Sequence, residues 1–240
     1  MRRQVIRTFV ATCALGAMLA ASAPAAQNDY VLSGTDSYVI GSYRAKVTFK
    51  GAESLEFVEQ NGKRDLTASV HYSRTDATGT HARMIAMPLA DESVDRSDSD
   101  PDYVSVLSQP LPVELYPDDL RTAARLHERV PFVSPSMFGA GNLTGFLEAA
   151  TDPEHKDVVG LRFIARGKVT GTLHEHPGAV VTGVISLAGA AYYSSYSGHL
   201  IAIRDTISLD GSLQSGNVVT PVHIAFDRRI QSLEAAVALR

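Results

Sequence analysis

From Leu161 to Leu173, small or apolar residues take the odd positions: Leu161, Phe163, Ala165, Gly167, Val169, Gly171 and Leu173. Arg162, Ile164, Arg166, Lys168, Thr170 and Thr172 take the even ones. Successive strand side chains point to opposite faces, so this period of two predicts a strand with one apolar face and one basic, wet face. His174-Glu175-His176-Pro177-Gly178 predicts a reversal, with proline and glycine supplying the turn dihedrals. Ala179 to Tyr193 carries Val180, Val181, Val184, Ile185 and Leu187 on both faces, the pattern of a covered central strand or of one lining a cavity. Gly183 and Gly189 within it mark a bulge or a close backbone approach. Ser194 to Gly198 predicts the next turn. Leu200 to Leu209 alternates again, with Ile201, Ile203, Ile207 and Leu209 on one face, and Asp210-Gly211 suits a tight hairpin. A last strand runs from about Val218 to Ile230, with Val222, Ile224, Phe226 and Ile230 opposite His223, Asp227 and Arg229. Four strands joined by short turns form an antiparallel meander, whose apolar face must pack on a helix, a second sheet or a ligand.

The pattern upstream is weaker. Asn28 to Asp36 is expected to be a tail. Tyr43, Ala45, Val47 and Phe49 alternate with polar residues as in a half-buried strand, and Asn61-Gly62 predicts a hairpin between Leu55–Gln60 and Leu66–Tyr72. Arg83 to Leu89 predicts another strand. Asp91 to Asp102 is an acidic loop whose Asp98, Asp100 and Asp102 start like a calcium loop, but Tyr103 and Gln109 stand where glycine and glutamate are required. Pro117-Asp118-Asp119 opens a helix with Leu120, Ala123, Ala124, Leu126 and His127 inward and Pro131 beyond its end. Asn142 is expected to cap a second helix from Leu143 to Ala150, after a loop from Val133 to Gly141. No strand–helix alternation occurs, so a doubly wound parallel sheet is disfavoured. The expectation is a mainly β (α+β) fold: an antiparallel sheet, or a partly open barrel or sandwich, with one or two short helices inserted mid-chain.

The leader changes the picture of where this fold works. Arg2, Arg3 and Arg7 precede an apolar run from Phe9 to Ala20, and Ala23-Pro24-Ala25 is a small-residue cleavage site. Residues 1–25 therefore fit a signal peptide, with 26–240 as a single β-rich domain, exported to a periplasmic or extracellular space by the general or the twin-arginine route. The only cysteine, Cys13, leaves with this leader, which removes disulfides and thiol chemistry from the rest. Losing three arginines leaves 19 basic against 26 acidic residues, a formal charge of −7, which disfavours nucleic acid as a partner. No later apolar run is long enough to span a bilayer.

Chemistry is sparsely signalled. His174 and His176, two apart, project from one strand face and suit metal ligation with a third ligand from His199, His223, Asp205 or Asp227. The alternative is a pair of surface histidines beside a turn. No Gly-x-Ser-x-Gly elbow, Ser-x-x-Lys pair or phosphate loop is present, and no cofactor motif. Glu114 with Asp118 is a carboxylate pair of the kind that any acidic chain contains. Tyr192, Tyr193 and Tyr196 among serines resemble an adaptable binding loop, or the packed end of a hairpin. The expected function is an exported, soluble, non-enzymatic protein binding an apolar small molecule or lipid between sheet and helix, lined by Phe163, Ile185, Leu187, Ile201, Ile203, Ile224 and Phe226. The alternatives are an envelope or secreted module that binds a protein through its loops, and a hydrolase or metal protein centred on His174 and His176.

Overall fold

The computed structural model describes residues 28–60, 63–88, 98–99, 110–136, 140–151, 155–173 and 176–233. The proposed leader, most of the acidic loop, and His174 lie outside them. The strands are β1 (Asn28–Ile40), β2 (Tyr43–Gln60), β3 (Lys63–Asp76), β4 (Gly79–Pro88), β5 (Asp98–Ser99), β6 (Arg129–Pro135), β7 (Asn142–Thr151), β8 (Val158–Leu173), β9 (His176–Ser194), β10 (Leu200–Ser215) and β11 (Val218–Ser232). One helix, α1 (Pro117–Leu126), precedes β6.

Ten strands form one open antiparallel sheet in the order β4-β3-β2-β1-β11-β10-β9-β8-β7-β6, and β5 adds a two-residue parallel pairing to β8. The sheet is two meanders that meet at a seam between β1 and β11. There Gly34 lies opposite Arg228 and Tyr30 opposite Ser232.

The predicted meander from β8 to β11 is present, and several upstream expectations are corrected. The expected tail is part of β1, a central strand, because Tyr30 and Leu32 point into the core. The expected second helix is β7, whose Leu143, Leu147 and Ala149 face inward at strand spacing. Part of the expected loop is β6, and Pro131 and Pro135 sit in this edge strand, where proline removes no needed ladder bond. Asp210-Gly211 lies inside β10, and the chain turns at Gly216-Asn217 instead. A bulge between Leu200 and Ala202 lets both Leu200 and Ile203 point inward, which leaves Ile201 only partly buried.

One inner face of the sheet is buried. α1 packs on it at β7 and β8, and the strap at 110–116 leads into α1. Leu120, Ala123 and Ala124 form the buried face of α1, whereas Leu126 and His127, expected inside, are exposed. His127 takes a left-handed conformation at the helix end, and its N–H caps the Ala123 and Ala124 carbonyls. The strap is tied to the β9–β10 turn by Leu115 N–H to the Gly198 carbonyl and Leu200 N–H to the Val113 carbonyl, both 2.9 Å. Gly198 has φ 76°, and any Cβ there would run into the Leu115 carbonyl, so this docking needs glycine.

Across six strands of the inner face runs a polar row: Phe49 on β2, Gly34 on β1, Arg228 on β11, Asp205 on β10, Gly189 on β9 and Phe163 on β8. Arg228 and Asp205 form a two-pronged ion pair, Nε to Oδ1 at 3.1 Å and Nη2 to Oδ2 at 2.6 Å, with both side chains 1% exposed. The two glycines make room for the flanking rings. A Cβ at Gly189 would lie 2.5 Å from Phe163 Cζ, and one at Gly34 would collide with the end of Phe49. Each ring thus folds over its glycine toward the charges and excludes water from them.

Buried phenols also secure the inner face. Tyr193 donates to the Pro112 carbonyl at 2.7 Å and Tyr30 to the Leu200 carbonyl at 3.3 Å. Burial pushes both phenols well above the ordinary tyrosine range, with Glu53 and Glu114 adding to the shift at Tyr30 and Tyr30 adding at Tyr193. A raised pKa means that the unfolded chain loses these protons first. Their contribution is therefore complete below about pH 10, the unfolded tyrosine value, and declines above it. Urea midpoints should be level from neutral pH to about pH 9.5 and fall beyond it. Tyr193→Phe should lower stability by about 1 kcal/mol and speed amide exchange in the strap at 110–116. An unchanged exchange rate there would show that the strap is held without this bond.

Candidate functional site

The opposite, outer face of the sheet is open. Its residues follow from strand parity: in β9 to β11 the inward set includes Ile185, Leu187, Ile203, Ile207, Ile224 and Phe226, so Ala188, Ala190, Tyr192, Ala202, Arg204, Thr206 and Arg229 point outward. Together they line an open groove of about 550 Å³. Alanines at 188, 190 and 202 give it a low floor. Tyr192, 40% exposed, stands at one end and Thr206 toward the other.

The charged wall of this groove is set by register. Arg204 on β10 lies directly opposite Arg229 on β11, and on its other side opposite Ala190 of β9. Ala190 in turn faces Arg162 of β8, so three arginines and one alanine share a cross-strand row. Opposed residues in an antiparallel pair have Cβ atoms only about 5 Å apart, and like charges there destabilise the sheet. Arg229 donates to Gln231 Oε1 at 3.1 Å, which leaves its charge uncompensated. Arg204 and Arg162 form no hydrogen bond or ion pair among the described residues. The nearby carboxylate of Asp227 accepts from Thr206 Oγ1 at 2.7 Å. Chemically, the groove offers two exposed guanidiniums, the hydroxyls of Thr206 and Tyr192, an aromatic edge and a small apolar floor.

The residues expected to line an interior site, or else to be plain core, face inward. Phe163, Ile185, Leu187, Ile203, Ile224 and Phe226 are 0–4% exposed and belong to the core cluster, and Ile201 is half-buried. Beneath α1, the space lined by Ala123, Val130, Leu147, Ala149 and Leu161 is about 10 Å³, room for one water at most.

Of the expected metal ligands, His174 lies outside the described residues. His176 opens β9, while His199 Nδ1 lies 3.2 Å from Glu114, His223 Nδ1 lies 2.6 Å from Asp210, and Asp205 is committed to Arg228. Among the described residues no three His, Cys, Asp or Glu side chains are grouped to hold a metal ion. Of the Glu114 and Asp118 pair, Glu114 lies beside His199 and Asp118 binds Arg121. The three tyrosines separate: Tyr193 is core, Tyr192 borders the groove, and Tyr196 is 71% exposed. Among the described residues no helix is long and apolar enough to cross a membrane. No family model matches this chain, and no curated protein matches it by sequence.

Proposed function

We propose that this chain is an exported, non-enzymatic binding protein whose ligand is a small organic anion held in the outer groove. The acidic head sits between Arg204 and Arg229, and the apolar or planar body rests on Ala188, Ala190 and Ala202 beside Tyr192. The observation that carries this reading is the direct opposition of Arg204 and Arg229, without a carboxylate partner for either among the described residues, at the wall of a groove of about 550 Å³. Such an arrangement weakens the folded sheet, and an anion between the two guanidiniums relieves the repulsion through charge-assisted bonds.

Anilinonaphthalene sulfonate, an aromatic anion, and N-phenylnaphthylamine, its neutral counterpart, separate an outer anionic site from an apolar interior one. The sulfonate should gain fluorescence with the protein, and Arg204→Glu should abolish that gain while leaving the urea midpoint level or slightly raised, because it places opposite charges across from each other. Loss of binding without loss of stability is the expected signature. If instead the neutral dye binds and Arg204→Glu leaves both dyes unaffected, the ligand lies among Phe163, Ile185 and their neighbours, and the groove reading fails.

A further inference from the structure

Beyond the groove, toward the β6 edge, the outer face changes character. Phe146 on β7 lies between Pro131 of β6 and Ile164 of β8, and Ile164 lies opposite Ala188 of β9. Phe146 is 46% exposed, Ile164 58% and neighbouring Val133 54%. This apolar row runs between two polar ones. On one side are Arg129, Glu148 and Arg162; on the other are Val133, Thr144 and Arg166. Arg129 lies over the Phe146 ring at 4.3 Å from its centroid, and Lys168 follows on β8. Arg162 and Arg166 make no hydrogen bond or ion pair among the described residues. Among the described residues of β6 to β8, four basic side chains and a single acid, Glu148, thus frame exposed aliphatic and aromatic groups, on a chain whose net charge is −4.

We propose that the outer face of β6–β8 docks on an anionic lipid bilayer. Two features select this occupant. The basic rows complement negative headgroups, with the positive charge gathered on one face despite an acidic whole. The apolar row between them, with Phe146 and Ile164 standing out from the sheet, suits shallow entry into the headgroup–acyl boundary, which a soluble polyanion would not reward. The arginines need not be stripped of water, because guanidiniums at the rim stay at headgroup level while their stems lie along the apolar row. The placement leaves the inner face, α1 and the strap facing away from the membrane. Apart from Arg162, which also stands in the row that reaches the groove, it uses different side chains, so it does not depend on the groove's ligand.

Sedimentation with sucrose-loaded vesicles tests it. The full protein should pellet with phosphatidylcholine vesicles containing about one third phosphatidylglycerol and remain in solution with phosphatidylcholine alone, and added salt should weaken the association. Ile164→Ser and Phe146→Ser should each weaken it about tenfold, the scale set by withdrawing one partly buried apolar side chain. Glu148→Lys should strengthen it. Both serine variants replace exposed groups and should keep the wild-type urea midpoint and the sulfonate dye signal, which separates loss of docking from loss of fold or groove. The proposal is overturned if wild-type protein does not pellet with the anionic vesicles. It is equally overturned if it pellets but the serine variants do so undiminished, since a purely electrostatic face would then be binding polyanions of any kind.

Discussion

Arg228→Ala should lower the stability of the folded chain by about 3–5 kcal/mol, the largest loss expected from a single substitution here. The reason is the state it leaves behind. Asp205 is 2% exposed as a residue, and its two oxygens receive the Nε and Nη2 groups of Arg228. Without the guanidinium its charge remains in a site that Phe49 and Phe163 close to water. The double replacement Asp205→Leu with Arg228→Met removes both charges and keeps volume. It should recover most of the loss, because a buried pair is weakly stabilising compared with well-packed apolar groups. Urea unfolding of the two single variants and the double one measures this directly. A small effect of Arg228→Ala, below about 1 kcal/mol, would mean that water reaches Asp205.

Gly189→Val should follow, with a loss of about 2–3 kcal/mol. Three groups would meet the new Cβ: the Phe163 ring end at 2.5 Å, the Arg204 backbone carbonyl at 2.6 Å and Asp205 Cβ at 2.8 Å. The ring can turn away, but then it uncovers Asp205. The carbonyl belongs to the β9–β10 ladder and cannot move without breaking it. Pairing Gly189→Val with Phe163→Leu should therefore recover only part of the loss, and the remainder measures the backbone clash. Full recovery would assign the whole effect to the ring. Since Arg204 projects from the residue whose carbonyl is displaced, the variant should also weaken sulfonate binding in the outer groove.

Strands whose inner positions are all apolar were readable from period two alone, as β8 shows. Where a charged residue takes an inner position, the pattern breaks. In β1 the inner set includes Gly34 and Asp36, so a central strand resembles a polar tail. In β10 and β11 the inner Asp205 and Arg228 interrupt otherwise apolar faces, and that shared interruption was the available sign of a buried pair. β7 was ambiguous for another reason: Leu143 and Leu147, four apart, satisfy a helix as well as a strand, and Asn142 imitates a cap. The groove depended on register, which the sequence pattern leaves open. A turn at Asp210-Gly211 would set Arg204 against Asn217. The actual turn at Gly216-Asn217 sets it against Arg229. The basic face of β8 was visible, but its neighbours β6 and β7 were expected as a loop and a helix.

The seam between the two meanders has a consequence for how the chain assembles. Adjacent strands elsewhere within each meander are neighbours in sequence, so both meanders can zip up from local turns, whereas β1 and β11 must find each other across nearly the whole chain. Until they do, each half ends in an unpaired edge that invites pairing with other molecules. Both edges carry a charge on the face that will become buried: Asp36 on β1, and Arg228 on β11, diagonal to each other across the finished seam. An inward-pointing charge makes an edge a poor template for an apolar intruder, and the opposite signs make each edge acceptable to the other. The polar groups that seem misplaced in a finished core thus guard the last joint of an unfinished one.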